Sequence, residues 1–347
     1  MTADRDPTTG ELATGYAVVI PTLGRDTLAR CLTALAKATG PEPDSIVLVD
    51  DRPPGRAAGG ELPLDALGPL RGRARVARGE ARGPAAARNT GWRMVEAPWT
   101  VFLDDDVCVG RDWRARLIRD LAAASEETGG VQGVLQVPLP LSRRPTDWER
   151  NTAGLARARW ATADMAYRTR ALRETGGFDE RFQRAFREDA DLALRVLNAG
   201  WDLRVGQRQT EHPVRRTGPW VSVSAQRGNA DDALMLRLHG PGWRWRAQAP
   251  PGRIRRHLAT TAMAGAVLPL AAAGKRRAAA LAALGWALAT AEFAWARISP
   301  GPRTPQETAT MLVTSVLIPP VATAHRLRGQ WRWRAVTRVR GARGERA

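Results

Sequence analysis

Between Tyr16 and Ala199 the chain alternates short apolar runs with stretches of helical spacing, and few architectures accept that order. "YAVVI" (16–20), "SIVLVD" (45–50), "RARVAR" (73–78) and "WTVFL" (99–103) read as strands. "DTLARCLTALAKATG" places Leu28, Cys31, Leu32 and Leu35 on one helical face and stops at Gly40-Pro41. "GPAAARNTGWRMVEA" predicts a helix entered through Gly83-Pro84. Residues 52–70, rich in Pro and Gly, are expected to form a loop. A βαβα rhythm argues for an α/β fold, a parallel sheet with helices on both faces. Ligands of such sheets collect outside the carboxyl ends of the strands. Those ends carry Pro21-Thr22-Leu23-Gly24, Asp50-Asp51 and Asp104-Asp105-Asp106, so three ligand-capable loops share one edge.

The Asp triplet is the sharpest of the three. Asp is a poor strand former, and three adjacent carboxylates repel one another. A solvated turn accounts for such a cluster. So does a site for a divalent cation, which neutralises the acids and holds an anionic ligand.

In chain order the segments "VVIPTLGR", "VLVDD", "GPAAARNTGW", "FLDDD", "GGFDERF" and "REDADLALRVLNAG" resemble the family 2 glycosyltransferases of the GT-A fold, over roughly residues 16–215. The resemblance implies a Rossmann-like, mostly parallel sheet and a nucleotide-sugar donor held by the first loops and the Asp triplet. It places Pro21 and Thr22 in the nucleotide pocket, Asp51 towards the base and Arg88 beside the nucleotide. Asp104 would reach the ribose or the metal shell, Asp105 belongs to the donor site, and Asp106 would ligate Mg²⁺ or Mn²⁺. A late His often completes such a metal site, which nominates His212 in "TEHPVRR". Inversion at the sugar needs a base for the attacking hydroxyl. The resemblance points to Asp189, with Glu188 as understudy, and leaves Asp191 as a helix cap, a position the helix dipole favours for an acid. Asp164 and Arg227 are expected at the acceptor, although a turn and a solvated helix face explain them equally well.

Composition bounds the partners. The 347 residues carry a net charge of +18, nearly all from Arg, because Lys occurs only at Lys37 and Lys275. The excess favours anionic partners. Cys31 and Cys108 allow no disulfide scaffold and suit a reducing compartment. A nucleic-acid binder would explain the charge but not the acids, which repel phosphate without a metal, so no nucleic-acid partner is expected. A sugar-nucleotide nucleotidyltransferase should show a Gly-rich loop after the first strand, and "PTLGRD" does not supply one.

The expected organisation is a disordered lead-in over residues 1–15, with no signal peptide. A catalytic domain follows over 16–225, its nucleotide half about 16–110 and its acceptor half about 111–225. A helical region over 226–330 precedes a basic, Trp-bearing tail over 331–347. Within 257–325 lie three apolar stretches, the third broken by Pro319-Pro320. Cations at both ends of the first disfavour a single crossing. Helices packed on the domain or lying in a membrane interface are expected, with a hairpin anchor or a soluble subdomain as alternatives. The acceptor expected from this composition is lipid-linked or polymeric, handled at the cytoplasmic face of the plasma membrane.

Overall fold

A computed structural model describes residues 15–55 and 60–338. The lead-in and the end of the tail lie outside the described residues. The strands are β1 (Tyr16–Thr22), β2 (Ser45–Asp50), β3 (Ala74–Arg78), β4 (Trp99–Leu103), β5 (Cys108–Val109), β6 (Thr128–Gln136), β7 (Asp164–Arg168) and β8 (Asp202–Glu211). They form one sheet in the order β3-β2-β1-β4-β7-β6-β8-β5. β1 pairs in parallel with β2 and β4, as the βαβα reading requires. Beyond β4 the sheet turns mixed, because β7 runs antiparallel to both β4 and β6. β6 and β8 again pair in parallel, so the sheet is parallel in most of its pairings, as expected, with antiparallel steps at β7 and at the β5 edge.

Helices α1 (Thr27–Lys37), α2 (Pro84–Trp92), α3 (Trp113–Ala122), α4 (Asp147–Ala153), α5 (Thr169–Thr175) and α6 (Glu188–Asn198) accompany the sheet. One core packs Leu28, Leu32, Leu35, Trp113 and Leu117 beneath Val18, Ile20 and Leu48. The opposite core packs Ala85, Leu172, Leu192 and Val196 against Val19, Val47 and Phe102. Alternate residues of each buried strand thus serve opposite faces.

Three local features were misread or missed in the sequence. Residues 64–70, read as loop, belong to 3₁₀ turns over Leu64–Arg73, kinked at Gly68, with Leu67 and Leu70 buried against the first core. β6, "TGGVQGVLQ", escapes a propensity reading because Gly is depleted in strands. Its glycines are there for space: Gly129 faces Trp201, Gly130 faces Tyr167 and Leu203, and Gly133 faces Asp164. The third concerns the C-terminal helices.

Those are α7 (Val221–Ser224), α8 (Gly228–His239), α9 (Trp243–Arg246), α10 (Ile254–Ala272), α11 (Arg276–Ile298) and α12 (Pro305–Arg332). α12 runs unbroken through Pro319 and Pro320. Proline removes two helical hydrogen bonds there, yet Ile318, Pro319 and Ala322 are buried by neighbouring helices, and packing holds the axis. The basic tail does not simply trail into solvent, for Trp333 and Val336 fold back on a third core of Phe182, Leu194, Leu234 and Trp243.

Candidate active site

β1, β2 and β4 end side by side, and their acids point into one edge. Asp105 turns towards β1, accepting hydrogen bonds from Thr22 Oγ1 at 2.7 Å and Arg25 at 2.9 Å. Burial raises its carboxyl above the usual range despite those donors. Asp105 and Thr22, both expected at the donor, are thus bonded to each other, and they fix the loop that Pro21 opens. Asp51 is similarly engaged: its carboxylate takes the backbone N–H of Ala81 at 2.7 Å and of Gly83 at 3.2 Å. It pins the loop that enters α2. Gly83 sits at φ 101° with the Gln183 carbonyl where a Cβ would stand, so the turn requires glycine. Asp50 is clamped by Arg52 and Arg78.

Asp104 and Asp106 face the other way. Together with His212 they offer ligand atoms that all lie within 4.8 Å of one another. Strand pairing explains how a residue so distant in sequence arrives there. β5 pairs Cys108 with Glu211, which sets His212 beside the turn holding Asp106, 3.7 Å from its Oδ1. That oxygen is buried and, among the described residues, has no hydrogen-bond partner. A buried, unpartnered carboxylate oxygen is costly unless a cation completes it. Two carboxylates and an imidazole also suit Mn²⁺ or Mg²⁺, which favour oxygen-rich sites and keep part of their water shell. The residues therefore fit a divalent cation. Asp106 Oδ2 is meanwhile paired with Arg215, from the loop after His212. Sequence reasoning missed Arg215; its signal was an Arg three residues beyond the candidate histidine.

Arg88 connects this group to α6. Its guanidinium is fully buried, stacks 5.5 Å from the Phe178 ring centroid, and reaches Asp104 at 2.7 Å and Glu188 at 2.9 Å. Burial works to raise the Asp104 carboxyl, but Arg88 outweighs it and holds the group below its usual range. Next to Arg88, Asn89 fastens the "GGF" turn, donating to the Phe178 carbonyl and accepting its N–H, each at 2.9 Å.

Glu188 and Asp189 open α6 and differ in environment. Glu188 is buried, its Oε2 has no partner among the described residues, and burial plus the charge of Asp189 push its pKa up to about 8. Asp189 is half-buried and accepts the N–H of Ala190 at 2.7 Å, and burial raises its pKa too. The preceding Arg187 adopts φ 79°, a left-handed conformation unfavourable for a side-chain-bearing residue. Asp232 of α8 holds its guanidinium at 2.8 Å, between the rings of Phe186 and Trp243. This clamp was also missed.

Two expectations give way. Asp191 is no cap: it is buried on the far side of α6, paired with Arg195 at 2.7 Å and His239 at 2.8 Å. Asp164 does not face an acceptor, because it is fully buried and its carboxylate takes hydrogen bonds from Trp113, Arg208 and Thr210. That cluster locks α3, β7 and β8 together. Arg227 stands exposed just before α8, and its backbone carbonyl accepts a hydrogen bond from Arg184.

A half-parallel, half-mixed sheet whose strand ends gather Asp104, Asp106 and His212 is the GT-A glycosyltransferase arrangement. The chain belongs to glycosyl transferase family 2, whose model matches residues 17–192. It is similar to a pre-mycofactocin glycosyltransferase of Mycobacterium tuberculosis, at 29% identity over 174 residues, 45% of this chain and 36% of that protein. The match thus spans little more than a third of the relative's length. Among solved structures, the mannosyltransferase PcManGT from Pyrobaculum calidifontis, in complex with GDP-Man and Mn²⁺, aligns over 96% of this chain and 91% of its own. The TM-score is 0.55 at 18% identity. GalNAc-T7 with UDP, GalNAc and Mn²⁺ aligns over 66% of this chain and 50% of its own, with TM-score 0.50 at 19% identity. At such identities the likeness is one of fold.

Proposed function

We propose that this glycosyltransferase moves a sugar from a nucleoside-diphosphate donor to an acceptor hydroxyl with inversion, Asp189 serving as the base. One observation carries the reading: Asp104, Asp106 and His212 converge around a buried carboxylate oxygen that lacks a partner, one guanidinium away from the acids that open α6. Complexes of the two structural neighbours with nucleotide or nucleotide-sugar and Mn²⁺ support it. Pro21, Thr22 and Asp51 shape the nucleotide pocket through the loops they hold, while Arg88 and Asp104 line it.

Asp104, Asp106 and His212 would hold Mn²⁺ or Mg²⁺, which when bound neutralises the charge on the departing diphosphate. Arg215, now paired with Asp106, adds a second positive charge at the same place. The acceptor oxygen attacks the anomeric carbon from the side opposite the diphosphate, and the glycosidic bond forms as the sugar–phosphate bond breaks. The hydroxyl proton passes to Asp189. Between the two acids, Glu188 is bound to Arg88 and its raised pKa keeps it protonated, whereas Asp189 has an oxygen free for a proton and a pKa moved towards neutrality. The surplus of positive charge and the apolar helices favour a lipid-linked or polysaccharide acceptor of the cell envelope, used at the cytoplasmic face of a membrane.

A thermal-shift screen of sugar nucleotides, with and without Mn²⁺, tests this. One donor should stabilise the protein in the presence of metal, and Asp106→Ala should abolish the shift. If no sugar nucleotide stabilises the wild type, the donor assignment is wrong.

A further inference from the structure

The hairpin of α10 and α11 leaves the body of the protein with its apolar surface uncovered. It is rooted where His257 and Thr260 of α10, and Ala294 and Arg297 of α11, are buried. Between those roots, over residues 261–293, only Ala279 is buried. Leu268, Leu281, Leu284 and Leu288 are each more than half exposed. A water-soluble helix pair would turn such leucines inward. Residues 258–274 and 278–291 carry no charged side chain, and Glu292 is paired with Arg253 and Arg256.

Charge marks both ends of this surface. Lys275, Arg276 and Arg277 form the tip; Arg253, Arg255, Arg256 and Arg303 ring the root. The two groups are separated by helices of 19 and 23 residues. At 1.5 Å per residue these are about 28 and 34 Å long, close to the roughly 30 Å of bilayer hydrocarbon. By length and composition alone α11 and α12 qualify as spans and α10, with Arg255, Arg256 and His257 in its first turn, does not; burial then separates α11 from α12, and α10 is drawn in as the partner of α11. Within the apolar window, 11% of α11 is buried against 33% of α12. Gly329 of α12 lies on Ala230 of α8, and Met311, Thr314, Ile318 and Ala322 are covered along its length.

We infer that α10 and α11 insert as a pair into the hydrocarbon of a bilayer with anionic headgroups, whereas α12 stays outside as a strut on the catalytic domain. The root carries more cations than the tip, which sets the catalytic domain on the cytoplasmic side. The inference stands on exposure and charge at the hairpin and does not depend on the chemistry of the site.

Flotation of the full-length protein with vesicles of phosphatidylethanolamine and phosphatidylglycerol tests it. The wild type should float even in about 1 M salt, where charge attraction alone is screened within about 3 Å. The triple variant Leu281→Arg, Leu284→Arg, Leu288→Arg should float at least ~100-fold less, since one Arg at a helix centre is already worth on the order of 100-fold. Its thermal unfolding in detergent should match that of the wild type, showing that it folds. Leu312→Arg, on the exposed face of α12, should float normally. Release of the wild type by salt overturns the inference, and so does normal flotation of the triple variant. A hairpin-dependent dimer without flotation would assign the surface to a second copy instead. Failure to bind any donor, with flotation intact, would strike only the transferase chemistry proposed above.

Discussion

Arg88 joins the strand-end acids to the acids of α6, since its terminal nitrogens reach Asp104 and Glu188. One cation shared between two carboxylates leaves the second acid under-compensated, and the proton settles on Glu188, whose Oε2 has no donor. A pH dependence of stability follows. Below the ordinary Glu pKa of 4.5 both folded and unfolded chains hold that proton. As pH rises from there to about 8 the folded state keeps it while the unfolded state releases it, so stability falls across that window. Glu188→Gln has no proton to lose. Its Tm relative to wild type should climb between pH 5 and 8 and level off above; a constant difference would mean that Glu188 is ionised at neutral pH. The neighbouring acid has the opposite assignment. Asp189→Asn should leave the donor-induced thermal shift intact and lower kcat by about 10²–10⁴-fold, the contribution of a positioned base. Loss of donor binding as well would move Asp189 from catalysis to architecture.

At the level of elements, α6 shows where periodicity is informative and where it ends. Ala190, Ala193, Leu194 and Leu197 announce a helix docked on the core, and the helix runs from Glu188 to Asn198. Nothing in that pattern says that Arg187 turns left-handed or that α8 holds it there. Asp232 lies 45 residues further on, and the pair exists only because α8 packs beside α6. The strained turn sets the direction in which Glu188 and Asp189 leave the helix. Asp232→Asn and Arg187→Gly, the latter relieving the backbone while deleting the clamp, should each lower kcat about 10- to 100-fold with the donor KM unchanged. A general loss of folding would instead reduce the active fraction, which titration with donor measures separately. Asp191 teaches a related lesson. An acid in a first helical turn reads as a cap, but burial against His239 and Arg195 gives this one a partner on another helix.

Across the whole molecule the helical region and the catalytic domain are one structure, and Arg297 ties them. From α11 this buried guanidinium reaches Asp147 of α4 at 2.8 Å, Thr314 and Ser315 of α12 and Ser222 of α7. Next to Asp147, the Trp148 indole N–H holds the carbonyl of Arg215 at 3.0 Å, within the loop that meets Asp106. Arg297→Ala removes the nearer of two cations from Asp147, Arg150 remaining at 3.4 Å, together with the hydrogen bonds to Thr314, Ser315 and Ser222, and should destabilise the protein by about 2 kcal/mol. The loop around Arg215 should then be cut faster by trypsin under native conditions. Unchanged cleavage would show that the loop is held by other contacts.

The sequence by itself determined the strands β1 to β4, helices α1, α2 and α6, and the gathering of acids at one edge. Those features depend on local spacing and on which residues terminate a run, both readable along a single chain. Only packing decided which acids keep an unpartnered oxygen and which are engaged by neighbouring side chains. Asp105 and Asp164 look as available as Asp106 in the sequence, yet Thr22 and Arg25 engage the one and Arg208 and Trp113 the other. It also decided that His212 reaches Asp106, through the pairing of β5 with β8, and that α12 is a strut while α10 and α11 remain bare. A side chain's partner is chosen by packing across distant elements, and spacing along the chain carries no record of it.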